Sequence, residues 1–162
     1  MSRGERHARF LALAGTVSEW STCIVSRFGA VVVTPDGHII ATGYNGAPRG
    51  EPECASLGTC HRKALGVPPG ERYELCKGVH AEQNALLQAG RLAKGCTLYL
   101  SGADAHTGVL NYRYPCLLCS AMLVNAEIDL VVIRHPTRHY IEYTPREILR
   151  MNWDAVGHAI ST

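Results

Sequence analysis

Two short motifs constrain the fold of this chain more than any other feature: His-x-Glu at residues 80–82 and Pro-Cys-x-x-Cys at residues 115–119. Each lies where a helix is predicted to begin. "VHAEQNALLQAGR" predicts one helix, ending at Gly90, and "PCLLCSAMLVNAEI" predicts a second. "CTLYLSG" predicts a strand between them. A fold that joins the motifs into one site must therefore bring two helix N-termini to the same end of a sheet.

The residue types in the two motifs are those of a metal centre. The partial positive charge and free N–H groups of a helix N-terminus stabilise thiolates, which prepares Cys116 and Cys119 as ligands. With the imidazole of His80 they fill three corners of a tetrahedral zinc site and leave the fourth for water, as in catalytic sites. Glu82 lies roughly 200° from His80 around a helix. We expect it to transfer protons and not to bind the metal.

Each of these residues also has an ordinary explanation when it is taken alone. A histidine at a helix start is often a capping or core residue, and a first-turn glutamate usually complements the helix dipole. A single C-x-x-C pair is more often a redox pair or part of a structural zinc site. The order and spacing of the whole set favour a catalytic zinc site, and H-x-E followed by P-C-x-x-C is typical of zinc nucleobase deaminases.

The remaining segments predict a sheet covered by helices. An amphipathic helix is expected over residues 5–20, and "GAVVVTP" and "HIIATGY" form a β-hairpin through "TPDGH". "DLVVIRH" predicts a further strand, and "TPREILRMNWDAVG" a C-terminal helix with a capping box of Thr144 and Glu147. Residues 45–78 lack periodicity except for a short helical piece near "CHRKALGV". This order predicts one α/β domain over residues 1–162.

Composition excludes several classes of protein. The net charge is only +2 and basic residues form no long run, which disfavours a nucleic-acid partner. No apolar run approaches the roughly 20 residues that span a membrane. The seven cysteines are an odd number, so they point to metal binding in a reducing compartment more than to a secreted disulfide framework. We therefore expect a cytoplasmic protein.

The motifs resemble a known family. "HAEQNALLQA" and "PCLLC" resemble the cytidine deaminase superfamily, while "GAVVV", "GYNGAPRG" and "GCTLYL" resemble its deoxycytidylate (dCMP) deaminase branch, over about residues 23–133. The resemblance implies a three-layer α/β/α sandwich around a mixed five-stranded sheet. It implies zinc-dependent hydrolysis of dCMP, a cyclic amidine, to dUMP and ammonia, which feeds thymidylate synthesis. His80, Cys116 and Cys119 then match the zinc ligands and Glu82 the proton shuttle.

The resemblance also implies contacts to a small pyrimidine nucleotide. The backbone N–H of Ala81 would lie near the base carbonyl, and Asn45 would contact the sugar hydroxyl, although Asn-Gly after a strand is equally a plain turn. A 5′-phosphate needs a cation. Four arginines lie in or beside the motifs, and each has a solvated surface role as its alternative: Arg27, Arg49, Arg91 and Arg113. Family members are homo-oligomers and are commonly regulated by dCTP and dTTP, so both properties are expected here.

Four further cysteines predict a second, structural zinc site. They flank the hairpin and populate the irregular segment, with His61 as an alternative ligand: Cys23, Cys54, Cys60 and Cys76. Four thiolates that bracket an unsupported loop suit a closed zinc site, and some dCMP deaminases resemble this chain in carrying one. The spacing is looser than that of paired C-x-x-C motifs, and buried free thiols are the alternative. Cys96, at the start of a strand, is expected in the core.

Residues 102–114, "GADAHTGVLNYRY", depart from the family pattern, in which only a few residues separate the strand from Pro-Cys. The segment adds polar and aromatic side chains near the expected substrate mouth, to bind nucleotide, exclude water or contact a neighbouring subunit: Asp104, His106, Tyr112, Arg113 and Tyr114. The substrate is therefore less constrained than the reaction. A nucleoside, a triphosphate or a nucleic-acid base is the alternative substrate, and a non-catalytic zinc-binding or thiol redox protein is the alternative of another class.

Overall fold

A mixed five-stranded sheet forms the centre of the structure, a computed structural model that describes residues 1–160. The strands are β1 Ser26–Val33, β2 Ile39–Tyr44, β3 Thr97–Asp104, β4 Leu130–His135 and β5 His139–Tyr143. They lie in the order β2-β1-β3-β4-β5. The β3–β4 pair is parallel and the other pairs are antiparallel. A parallel pair needs a crossover connection, and here that connection carries the Pro-Cys-x-x-Cys motif.

Six α-helices accompany the sheet: α1 Arg3–Ser18, α2 Cys54–Leu57, α3 His61–Ala64, α4 Ala81–Ala89, α5 Leu117–Asn125 and α6 Pro145–Ile160. The predicted helix starts are confirmed where capping residues marked them. At α6, for example, Glu147 N donates to Thr144 Oγ1 and Thr144 N donates to Glu147 Oε2. None of the helices within residues 1–160 combines the length and the apolar character that crossing a membrane requires.

The helices cover both faces of the sheet and confirm the predicted three layers. On one face, Leu11 and Val17 of α1 pack with Val31 of β1. On the other face, Ala85 of α4 and Leu123 of α5 belong to a second core cluster with strand residues of even number in β1 and β3. Because both faces are covered, the β1 run "AVVV" is continuously apolar and fully buried.

A glycine sets the position of the helix that carries the first motif. A Cβ atom at Gly43 of β2 would lie 2.3 Å from Ala81 O and 2.5 Å from Ala85 N, both backbone atoms of α4. Any larger residue would push α4 away from the sheet, since backbone atoms cannot yield as a flexible side chain can. Gly43 thus fixes how closely the start of α4 approaches the end of β2.

The residue pattern did not predict two parts of the fold, the strand β5 and the hairpin of residues 102–114. The chain has a fifth strand, β5, which the family resemblance implied but the residue pattern did not predict, because its residues are mostly half-buried on both faces. Residues 102–114 form an ordered hairpin that prolongs β3: Ala103 pairs with Leu110, and Asp104 N donates to Val109 O at 2.8 Å. The irregular segment contains α3, as predicted near "CHRKALGV", and also α2 and a turn of 3₁₀ helix at Tyr73–Leu75.

Candidate active site

The N-termini of α4 and α5 meet at one end of the sheet and bring three metal-binding side chains together. The ligand atoms of His80, Cys116 and Cys119 lie within 4.8 Å of one another, and no other group of three is so close in the described part of the chain. His80 Nδ1 is 3.5 Å from Cys116 Sγ and 3.4 Å from Cys119 Sγ. A zinc ion bound at ordinary Zn–N and Zn–S lengths in a tetrahedron would separate these atoms by about 3.5 Å. The three side chains therefore fit zinc.

The motifs predict His80, Glu82, Cys116 and Cys119 in the first turns of two helices, and the structure corrects this for two of them. His80 and Cys116 are the N-cap residues of α4 and α5 and do not lie in the first turns. Both have extended backbone conformations, which direct their side chains beyond the helix ends. Gln83 holds this geometry at α4, where its Oε1 accepts a hydrogen bond from His80 N at 2.9 Å. Cys119 lies in the first turn of α5, as predicted, and is fully buried.

His80, Cys116 and Cys119 share protons through hydrogen bonds, which shift the pKa of each of them. The hydrogen bond from the Cys119 thiol, aided by His80, lowers the pKa of Cys116 to about 4 despite its burial. Burial alone would lower the pKa of His80, but hydrogen bonds with Cys116 and Cys76 outweigh it and raise that pKa to about 10. The pKa of Cys119 is raised, first by its hydrogen bond to Cys116 and then by burial. A metal ion would displace the protons that these groups share.

Glu82 lies beside the metal-binding group without belonging to it. Its side chain is 6% exposed in the first turn of α4. Burial raises the pKa of Glu82, and the positive charge of His80 opposes that rise. A buried carboxylate with a raised pKa exchanges protons more readily at neutral pH than an exposed one does, which suits general acid–base chemistry.

Asn45 has a structural role in addition to the predicted contact with substrate. Its Oδ1 accepts from Phe28 N at 2.7 Å, and its Nδ2 donates to Ser26 O at 2.9 Å. The side chain therefore joins the end of β2 to the start of β1. One amide hydrogen and one carbonyl lone pair remain available to a ligand. Ala81 is fully buried at the first position of α4, where backbone N–H groups have no partner within the helix.

The structure does not bring the four candidate arginines together. Arg27 lines a cavity on the α1 face of the sheet, opposite α4 and α5. Arg91 follows α4 at the end away from His80. Arg49 and Arg113 are exposed in segments that lead from Asn45 and towards Cys116. Tyr114, just before the second motif, packs against the core on the α4 side.

The four cysteines of the predicted second site, Cys23, Cys54, Cys60 and Cys76, lie near one another but not as closely as the first group. Burial raises the pKa of Cys54, and the thiols of Cys23, Cys76 and Cys60 raise it further. Their sulfurs do not form a set of three within 4.8 Å, and His61 is exposed. Cys96 is buried, as expected. The second metal site stays a prediction.

Sequence reasoning missed three residues that support the first group. The ring of Tyr73 packs edge-on against the ring of His80 with centroids 5.2 Å apart. Asn152 of α6 donates to Pro115 O at 3.0 Å and so holds the start of α5. Gln83 could have been found, since a glutamine three residues after an N-cap is the mark of a capping box. Tyr73 and Asn152 carry no local signal, because their roles depend on contacts distant in the sequence.

Comparison with known proteins supports the interpretation of His80, Cys116 and Cys119 as a zinc-binding group. The family model described as "Cytidine and deoxycytidylate deaminase zinc-binding region" matches residues 4–135. The deoxycytidylate deaminase of Mycobacterium phage D29 is 38% identical over 138 residues, which cover 82% of this chain and 96% of that protein. The deoxycytidylate deaminase of Schizosaccharomyces pombe is 35% identical over 125 residues. That match covers 76% of this chain and about a third, 35%, of the yeast protein.

A solved structure agrees in fold. The apo crystal structure of dCMP deaminase from the cyanophage S-TIM5 has a TM-score of 0.60 at 25% identity and covers 94% of each chain. Its complex with dCMP and dUMP matches with a TM-score of 0.53 at 23% identity. The family model spans most of the sequence and includes both motifs, whose side chains the structure joins into one zinc-binding group. This chain therefore belongs to the cytidine and deoxycytidylate deaminase family.

Proposed function

We propose that this chain is a zinc-dependent dCMP deaminase, which hydrolyses dCMP to dUMP and ammonia. The observation that carries the proposal is the three-residue metal-binding group with the buried carboxylate of Glu82 beside it. Relatives support the choice of substrate. The phage D29 protein, which the match covers almost entirely, is named deoxycytidylate deaminase, and the cyanophage protein was crystallised with dCMP and dUMP.

In this proposal each side chain of the site has one task. His80, Cys116 and Cys119 hold the zinc ion, which when bound supplies a Lewis acid that makes water nucleophilic near neutral pH. Glu82 accepts a proton as the water oxygen bonds to C4 of cytosine. It passes this proton to ring N3, then takes the second proton from the new C4 hydroxyl and gives it to the amino group as the C4–N bond breaks. The two protons of water end on the departing ammonia and on ring N3, and the carboxylate of Glu82 is regenerated.

The surroundings of the group supply candidate substrate contacts. The N–H of Ala81 would donate to the base carbonyl, and the free bonding capacity of Asn45 would serve the sugar hydroxyl. For the 5′-phosphate we favour Arg49 and Arg113, which lie in the segments joined to Asn45 and Cys116. Arg91 follows the far end of α4, and Arg27 lies on the other face of the sheet.

Ammonia release from a panel of cytosine compounds tests the function. We expect zinc-loaded protein to deaminate dCMP with a kcat/KM at least about tenfold above that for CMP, dCTP, deoxycytidine or cytidine, because a bound phosphate or a rejected hydroxyl contributes about 1.4 kcal/mol or more. Faster turnover of another panel member would change the substrate and keep the reaction. If no cytosine compound is turned over, a non-catalytic zinc-binding or redox protein becomes the better interpretation.

Regulation, assembly and location are part of the same proposal. Repeating the panel with dCTP and dTTP added tests them as allosteric effectors, and light scattering tests the expected homo-oligomer. A cytoplasmic location suits a site that depends on two thiolates, since reducing conditions keep them from forming a disulfide.

We also propose that Cys23, Cys54, Cys60 and Cys76 hold a second, structural zinc. The influence of Cys23, Cys76 and Cys60 on the pKa of Cys54 supports this, as does the backbone bond from Ala55 N to Thr22 O, which ties α2 to the segment before β1. Elemental analysis should give two zinc ions per chain, and one in a Cys54→Ser variant. Cys96→Ser, which removes a buried thiol elsewhere, should keep both. One zinc in the unmodified protein would contradict the second site.

A further inference from the structure

A cavity of about 740 Å³ lies on the face of the sheet opposite the zinc-binding group. One side of it is the last two turns of α1, and another is the ordered hairpin that prolongs β3, residues 104–108. Its floor is formed by the sheet, through Arg27 of β1, Ser101 of β3 and Arg134 of β4. All three have their side chains on the α1 face, because each lies an even number of residues from a strand residue on that face, namely Val31, Tyr99 and Val132.

The floor of the cavity presents hydrogen-bond donors that have no acceptor. Neither guanidinium donates a side-chain hydrogen bond or pairs with a carboxylate within 4 Å in the part of the chain that the structure describes. Arg27 Nε is buried and unpaired. Ser101, which also lines the floor, is 2% exposed. Two guanidinium groups without a protein acceptor on one floor leave their charge to water or to an anion.

The carboxylates in the cavity wall do not serve as that acceptor. Asp104 Oδ1 already accepts from His106 N at 2.9 Å, from Thr107 N at 2.8 Å and from Thr107 Oγ1 at 3.1 Å, within its own hairpin. These bonds lower the pKa of Asp104. Glu19 is exposed at the end of α1. Neither forms an ion pair with Arg27 or Arg134, so both guanidinium groups remain available to a ligand.

We propose that this cavity binds the phosphate group of a small molecule through Arg27 and Arg134, independently of the zinc-binding group. The planar guanidinium offers paired N–H donors that match the oxygens of a phosphate. A volume of 740 Å³ lies within the range of small-molecule sites and exceeds what inorganic phosphate alone needs. Thr16 and Ser18 of α1 also line the wall. Their hydroxyls donate to backbone carbonyls of α1, so towards a sugar phosphate they act as acceptors.

The hairpin of residues 102–114 forms one wall of this cavity. Residues 104–108 and Leu110 line it, and they belong to the segment that departs from the family pattern. The hairpin is held firmly, because Ala105 N donates to Val25 O and Asn111 Nδ2 donates to Ser26 Oγ. The inserted residues thus build a wall on the α1 side of the sheet, in addition to any effect near the metal.

Calorimetric titration of the zinc-loaded protein with inorganic phosphate and with ribose 5-phosphate, at constant ionic strength, tests the proposal. We expect binding at about millimolar concentration or below. Arg27→Gln and Arg134→Gln should each weaken it at least about tenfold, since each removes a charge-assisted pair of hydrogen bonds. Tighter binding of ribose 5-phosphate identifies a phosphate ester as the occupant, and equal binding identifies the free anion. Either result supports the site.

Arg146→Gln is the matched control, because it removes the same charge from an exposed position at the start of α6. It should bind phosphate as the unmodified protein does. Equal weakening in Arg146→Gln, undiminished binding in both cavity variants, or no heat of binding at 10 mM ligand, about tenfold above the expected affinity, would each overturn the proposal. Far-UV circular dichroism and zinc content confirm that the variants fold. Binding is read without turnover, so failure here leaves the proposed deamination untouched.

Discussion

Replacing Glu82 by glutamine should lower kcat for deamination about 10³-fold while the protein keeps its zinc. The carboxylate lies outside the metal-binding group and is buried next to it. Its loss therefore removes proton transfer without removing a ligand, and general acid–base catalysis contributes about 10²- to 10⁴-fold in enzymes. Glutamine keeps the size and the position of the side chain but cannot accept a proton at neutral pH. Ammonia release and elemental analysis of the same preparation measure the two effects.

Glu127→Gln provides the control for this experiment. Glu127 pairs with Lys94 at 2.8 Å on the surface, and the change removes one carboxylate from an exposed site. Its kcat should match that of the unmodified protein. General acid–base catalysis contributes about 10²-fold or more to the rate. A Glu82→Gln variant that keeps more than about a tenth of the activity would therefore show that another group carries the proton. Loss of zinc from that variant would instead assign Glu82 to metal binding.

The zinc-binding group could be predicted because its geometry is local. A helix N-terminus places an N-cap residue and a first-turn residue at fixed positions, so the identities at 80, 116 and 119 determine which atoms project there. What remained was to bring the two helix ends together. β2 is the last strand before α4, and β3 lies between the two motifs in the sequence. Because both strands belong to one sheet, the N-termini of α4 and α5 meet at the same end of that sheet.

The fifth strand and the hairpin of residues 102–114 could not be predicted in this way. β5 is a short edge strand whose residues are mostly half-buried, so it lacks the alternation that marks a strand with one buried face. The end of the hairpin is held by contacts that no local pattern reveals. Tyr112 Oη lies 3.0 Å from Tyr143 Oη of β5, and the Tyr112 ring packs on His135 at 4.8 Å between centroids.

The alternation of side chains along β1 predicts the face of the sheet on which Arg27 lies. Side chains alternate along a strand, so Arg27 shares the face of Val31 and Val33, whereas Ala30 and Val32 face α4. That alternation separates Arg27 from the zinc-binding group. The prediction that Arg27 contacts substrate rests on its position beside a motif, whereas strand alternation places it on the face where it lines the cavity.

Replacing Cys119 by alanine should have a larger effect than replacing Glu82, because it removes zinc and activity together. Cys119 is fully buried, and its sulfur lies 3.4 Å from His80 Nδ1, inside the group that fits the metal. Two remaining ligands hold zinc weakly. Without the metal, water returns to a pKa near 15.7 from about 7, and we expect the deamination rate to fall by more than about 10⁴-fold.

Zinc content and ammonia release measured on Cys119→Ala separate its role from that of Glu82. The zinc content should fall by one ion per chain, whereas Glu82→Gln keeps it. Cys96→Ala is the matched control, since that thiol is 1% exposed and lies outside the metal-binding group. It should retain both zinc and turnover. If the zinc content did not fall in Cys119→Ala, or if it fell equally in Cys96→Ala, the metal would not depend on the group at the two helix ends. Because one variant keeps the metal and the other loses it, the pair distinguishes the chemistry of proton transfer from that of metal binding.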